Sequence, residues 1–317
     1  MTEYRITSDQ TIDQIKSIDC LKPAASQISL GEQRDHQSID TFCRQNPDWL
    51  RDDMVAGLNR LLQIGSTGEP YVYPLEPEPV SLVHFPVPGK APFVLICAGG
   101  AYCSVAATVE AFPIATKLNQ LGYHAFSLKY RTGQEKLLTA PMEDLANAIR
   151  YIHAHGQQLG VDTQNYAVCG MSAGGHLAGT LLAESFAGIY GDLPKPAAVF
   201  LGYPVVSMGP DTHTLSGRML LGEQPAESTV HAYSIDRQIH AQTPPVYFWQ
   251  CREDAVVPFR NSQLLQAALE QHQIPHCYRI FEGPAHGWGL GGGTAAEGWV
   301  EEAAAFWMEH SGRPHKE

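Results

Sequence analysis

The sequence predicts an α/β domain with a mostly parallel central sheet covered by helices on both faces. Two observations carry this. From residue 93 onward, short apolar runs alternate with segments of helical periodicity, a pattern that calls for parallel strands joined by helical crossovers. One strand-to-helix junction, residues 169–173, also compresses a serine between small residues. At 317 residues, with 44% hydrophobic and 17% charged residues, the chain is long and apolar enough to bury a large core.

In chain order, residues 1–70 lack strand-like runs. Residues 49–64 place Leu50, Met54, Val55, Leu58, Leu61 and Leu62 at helical spacing, which predicts an amphipathic helix. Seven prolines punctuate residues 70–92, and residues 80–85 among them suggest an edge strand. Strands follow at 93–97, 124–128, 166–169, 198–203, 246–251 and 276–281. Helices are expected at 109–121, 141–159, 173–185, 261–272 and 295–310. Pro141 begins one of them, where a missing N–H costs nothing. The domain division expected is a helical extension over 1–75, packed on the main body, and a main domain over 76–317.

Residues 204–242 break the alternation and are rich in Pro, Gly, Ser and His. So long an excursion within a compact domain suggests a lid. Met208, Met219, Leu220, Leu221, His231 and Tyr233 either line a pocket there or pack the lid onto the body, and packing is the simpler expectation.

Charge and cysteine usage narrow the partners. The net charge of −12 disfavours nucleic acid, whose binding needs a positive field, and anionic lipid for the same reason. No run approaches the roughly 20 apolar residues of a membrane span, and the charged N-terminus is unlike a secretory signal. Seven scattered cysteines without a C-x-x-C pair fit reduced thiols. The expected location is cytoplasmic, the expected partner a small molecule, and a homo-oligomer is compatible with the sequence.

Residues 170–174 read Gly-Met-Ser-Ala-Gly, with a strand before and a helix after. A serine there sits on a very tight turn, its hydroxyl lifted above the sheet and the next N–H aimed at a developing oxyanion. Ser172 is therefore the candidate nucleophile and Ala173 one oxyanion donor. The strand at 93–97 runs into Ala98-Gly99-Gly100-Ala101-Tyr102. Its glycines allow close backbone approach, so Ala101, with Gly100 as a third donor, completes the expected hole. After a G-x-S-x-G turn of this kind the acid and then the histidine follow along the chain. Asp254 lies just beyond the strand at 246–251, next to Glu253, which could substitute but would point differently. His286 follows the strand at 276–281, flanked by small residues, and is the only one of 14 histidines in the right place. Tyr102 and Trp288 adjoin these loops and are candidate substrate contacts. Tyr130, Arg131, Asp144 and His176 read as structural.

At these residues the chain resembles the α/β-hydrolases of the acetyl xylan esterase and feruloyl-esterase-like (BD-FAE) type. The likeness rests on residues 98–102, 129–131, 141–162, 170–176, 253–258 and 285–287, and covers roughly 80–310. It departs at Ala98, where relatives often carry His or Pro. The resemblance implies the α/β-hydrolase fold, a Ser172–Asp254–His286 triad and cleavage of esters, often acyl groups on sugars, with acetyl as the expected acyl group. A peptidase or amidase would use the same triad, and a binding protein that kept the fold is the remaining alternative; fold alone does not separate them. No metal or cofactor is expected: there is no HExxH, no phosphate-binding loop, and His153 and His155 face different sides of their helix.

Overall fold

A computed structural model describes residues 4–311. Eight strands form one sheet: β1 (Val72–Pro74), β2 (Ser81–Phe85), β3 (Ala91–Cys97), β4 (His124–Lys129), β5 (Val161–Met171), β6 (Ala198–Gly202), β7 (Val246–Cys251) and β8 (His276–Phe281). Their spatial order is β1-β2-β4-β3-β5-β6-β7-β8. β1 and β2 are antiparallel to their neighbours, and every pairing from β4 to β8 is parallel.

The parallel strands are apolar on both faces because helices cover both. Along β3, Val94 and Ile96 face one way and join Leu58, Phe112, Trp299 and Trp307. Phe93, Leu95 and Cys97 face the other way and join Leu145, Ile149, Leu265 and Leu269. The first face also takes in residues from the start of the chain. Ile12, Ile15, Ile28, Ile39, Phe42 and Met54 are fully buried in the same core cluster as Val94. The helix Arg51–Gly65 presses so closely on Phe112–Gln120 that a Cβ at Gly57 would lie 2.9 Å from Pro113 N.

Several boundaries differ from the sequence expectation. Residues 80–85 do not form the edge. β2 is buried along its whole length, and the three-residue β1 lies outside it, where Pro74 is tolerated. The helix expected at 173–185 stops at Gly179 and continues as two 3₁₀ turns, and Ile235 packs directly over Gly179. The helix at 141–159 is interrupted at His155, and that at 109–121 at Ala111. The excursion at 204–242 contains helices Thr214–Leu221 and Glu227–Tyr233. Among the described residues no helix is long and apolar enough to cross a membrane.

Candidate active site

Every predicted chemical group sits beyond the carboxyl ends of the parallel strands, where sheets of this kind place their sites. β5 delivers Ser172, β3 the loop 98–102, β7 Asp254 and β8 His286.

Ser172 has φ 54°, a left-handed conformation that a side-chain-bearing residue adopts only under constraint. The constraint is the crowding of strand, helix and neighbouring loop. A Cβ at Gly170 would meet Gly174 O at 2.2 Å, and one at Gly174 would meet Cys97 O at 2.1 Å. The turn therefore closes only with glycine at both positions. It aims Ser172 Oγ at His286 Nε2, 2.9 Å away. His286 Nδ1 lies 2.8 Å from Asp254 Oδ2. Asp254 Oδ1 accepts from Val256 N and Val257 N, each at 2.9 Å, and Oδ2 also accepts from Gln250 Nε2 at 3.1 Å. Its side chain is fully buried, so these donors replace the water it has lost.

The loop after β3 carries the backbone groups expected to form the hole. Gly99 N–H is already engaged, donating to Glu110 Oε2 at 2.5 Å. Gly100 and Ala101, both at positive φ, line the cleft with Ser172. Ala173 lies in the first turn of the helix Ser172–Gly179, where N–H groups lack helical partners and the dipole favours an anion. Tyr130 Oη donates to Ala98 O at 2.7 Å and pins the loop from behind.

Two predicted substrate contacts require correction. Tyr102 is completely buried and its hydroxyl meets His176 Nδ1 at 2.8 Å, away from the cleft. His176 Nε2 in turn lies 2.8 Å from Tyr233 O, so its Nε2–H donates there and Nδ1 accepts from Tyr102. Burial holds this imidazole neutral, with its pKa lowered to about 4. Trp288 is half-buried against the core and does not line the cleft either. Of the excursion 204–242, only His213 and Leu215 reach the cleft, while Met208, Leu220, Leu221 and Tyr233 are buried in packing. Arg131 and Asp144 form an ion pair at 2.8 Å, with Asp144 buried.

The cleft is open and measures about 640 Å³. Its floor consists of Gly100, Ala101, Ala106 and Ser172, and exposed Leu215 and Val256 stand at its rim. Its outer wall comes from the start of the chain: Arg34, Gln45, Asn46, Asp48 and Trp49. This segment also holds the histidine loop. Asp48 Oδ2 accepts from His286 N at 3.3 Å, and Asp53 Oδ2 from Gly292 N at 3.0 Å. A polar residue far from the motif in sequence gives no periodic or motif signal, so this wall was invisible in the sequence.

Comparison with known proteins agrees with this architecture. A BD-FAE family profile matches residues 85–188. The crystal structure of an acetyl ester-xyloside bifunctional hydrolase from Caldicellulosiruptor lactoaceticus superposes with a TM-score of 0.65 and 30% identity, covering 75% of this chain and 90% of that one. The chain belongs to the BD-FAE-type α/β-hydrolases. Among curated relatives, endo-1,4-beta-xylanase B of Butyrivibrio fibrisolvens is 33% identical over 220 residues, 66% of this chain and 34% of the relative. The acetylxylan esterase of Xylanibacter ruminicola is 24% identical over 198 residues, 61% of this chain and 40% of the relative. The chain thus spans well under half the length of these two relatives. The profile contains the loop 98–102 and Ser172, but stops before Asp254 and His286 and begins after the outer wall.

Proposed function

We propose that this BD-FAE-type hydrolase is a serine esterase that cleaves short acyl esters, acetyl foremost, from hydroxylated alcohols such as sugars. The observation that carries the reading is the continuous chain Ser172 Oγ–His286 Nε2/Nδ1–Asp254 at the floor of an open cleft. His286 takes the Ser172 proton as Oγ attacks the ester carbonyl. Asp254 holds the Nδ1–H tautomer and stabilises the imidazolium that forms. The carbonyl oxygen becomes an oxyanion facing the N–H groups of Gly100, Ala101 and Ala173, each removable donor being worth on the order of 10²–10³ in rate. His286 then protonates the leaving alcohol, and water, activated by the same imidazole, releases the acid.

A hydroxylated alcohol suits the polar outer wall formed by Arg34, Gln45, Asn46 and Asp48 better than a lipid would. The names of the acetylxylan esterase and the acetyl ester-xyloside hydrolase support an acetyl group on a xylose-type sugar. Seven free thiols support a cytoplasmic location. The test is hydrolysis of p-nitrophenyl esters from acetate to octanoate, wild type beside Ser172→Ala. Rates that fall with chain length and vanish in the variant are expected. Full turnover by Ser172→Ala, or none by wild type on any ester, contradicts the reading.

A further inference from the structure

We infer that Glu110 is a positioning residue that ties the oxyanion loop to the histidine loop through Tyr203, so that hole and base are held in register. This rests on the esterase reading above. Glu110 ends the short helix Ala107–Glu110 and is 4% exposed. A carboxylate so buried is retained only where donors compensate it. Its two oxygens face two different loops. Oε2 accepts from Gly99 N at 2.5 Å, and Oε1 accepts from Tyr203 Oη at 2.9 Å.

Tyr203 carries the link onward. Its hydroxyl accepts from Gly289 N at 3.0 Å, three residues past His286. Because that N–H can only donate, the phenol proton is free to point at Glu110. The Tyr203 ring also packs edge-on against the His286 imidazole, with centroids 4.6 Å apart. Gly289 O is fixed in turn by Trp299 Nε1 at 3.0 Å. Gly99 precedes Gly100 and Ala101, the expected donors. The single carboxylate therefore orients both the N–H groups that meet the oxyanion and the loop that carries the base.

The geometry has a second consequence. Glu110 also takes up the Gly99 N–H and so fixes the backbone immediately before Gly100. Tyr203 is itself held at φ 36°, a left-handed conformation maintained by its surroundings at the end of β6. Neither residue hydrogen-bonds to Ser172 or His286, and their effect is on placement, where a misplacement of about 1 Å can cost about 10²-fold.

The test compares Glu110→Ala, Glu110→Gln and Tyr203→Phe on p-nitrophenyl acetate, with affinity for an aryl trifluoromethyl ketone as a mimic of the tetrahedral intermediate. Glu110→Ala should lower kcat about 30- to 100-fold with KM nearly unchanged, and weaken the ketone in parallel. Glu110→Gln should recover only part of the loss: its carbonyl can accept from Gly99 N–H, but its NH₂ then faces the Tyr203 hydroxyl, whose proton loses its acceptor. Tyr203→Phe should lower kcat about tenfold by releasing only the histidine loop. If Glu110→Ala does not fold, the Gln and Phe variants decide the matter. Folded variants with wild-type kcat and ketone affinity, or losses confined to KM, overturn the inference. A wild type that neither hydrolyses esters nor reacts with a fluorophosphonate overturns the esterase reading, and this inference with it.

Discussion

Replacing Asp254 by asparagine is the perturbation whose outcome the structure defines most closely. Two backbone donors, Val256 N and Val257 N, converge on Oδ1. In the variant the amide oxygen must take that place, since an amide nitrogen would face two N–H groups. The NH₂ group is then forced into the Oδ2 position, 2.8 Å from His286 Nδ1 and 3.1 Å from Gln250 Nε2. It donates to Nδ1 and so drives the proton to Nε2, the atom that must accept from Ser172. The base is present but in the wrong tautomer. Serine hydrolases handled this way lose about 10⁴ in kcat, about 5.5 kcal/mol of barrier. The added clash between two donors at Gln250 predicts a stability loss of about 1–3 kcal/mol as well. The assay is kcat on p-nitrophenyl acetate beside a urea titration. An asparagine variant within about tenfold of wild-type kcat would refute the assignment of Asp254.

Three further outcomes follow from particular contacts. A Cβ at Gly99 would lie 2.8 Å from Ser172 Cβ, Met171 O and Glu110 Oε2, so Gly99→Ala should cost at least about 10² in kcat/KM, and a near-wild-type value would show the loop to be more yielding than drawn. Tyr102→Phe should lower stability by about 1–3 kcal/mol, by stranding buried His176 Nδ1, while leaving ester kinetics within about threefold; a rise in KM with unchanged stability would return Tyr102 to the substrate site. His84 is buried beside His124 with its pKa lowered, by desolvation first, to about 3 from 6.5. The folded state thus binds fewer protons than the unfolded chain below pH 6.5, so this stability is intact above that pH and lost as pH falls towards 3. The loss is about 2 kcal/mol by pH 5, and His84→Phe should shrink the urea-measured drop between pH 7 and pH 5 by that amount; an unchanged drop would place the acid sensitivity elsewhere.

The sheet was legible wherever an apolar run ended at a sharp boundary. β7 and β8 match their expected residues because Pro244 and Pro245 precede one and Pro275 the other. β1 was not legible: three residues ending on Pro74 carry no periodicity, and only pairing with β2 makes them a strand. The breaks at Gly179 and Ala111 have no counterpart in the spacing of apolar residues, which runs on through both. At the site, Ser172, Asp254 and His286 could be singled out because strand order dictates where such groups must fall, and the structure brings the three together. Glu110 could not, since a glutamate at the end of a short helix reads the same buried or exposed. Asp48 and Trp49 reach the histidine loop from some 240 residues away, a closure only the folded chain reveals. Tyr102 and Trp288 illustrate the opposite error: adjacency to a catalytic loop in sequence says nothing about which way a side chain turns, and Tyr102 turns inward to His176.

The central claim, covalent catalysis by Ser172, is tested most directly by trapping the intermediate. Wild-type protein is mixed with p-nitrophenyl acetate, quenched in acid within the burst, digested and mapped by mass spectrometry. The account predicts one acetyl group on the peptide containing Ser172, absent from Ser172→Ala. Steady turnover with no acetyl on that peptide, or with the acetyl on another residue, would contradict it.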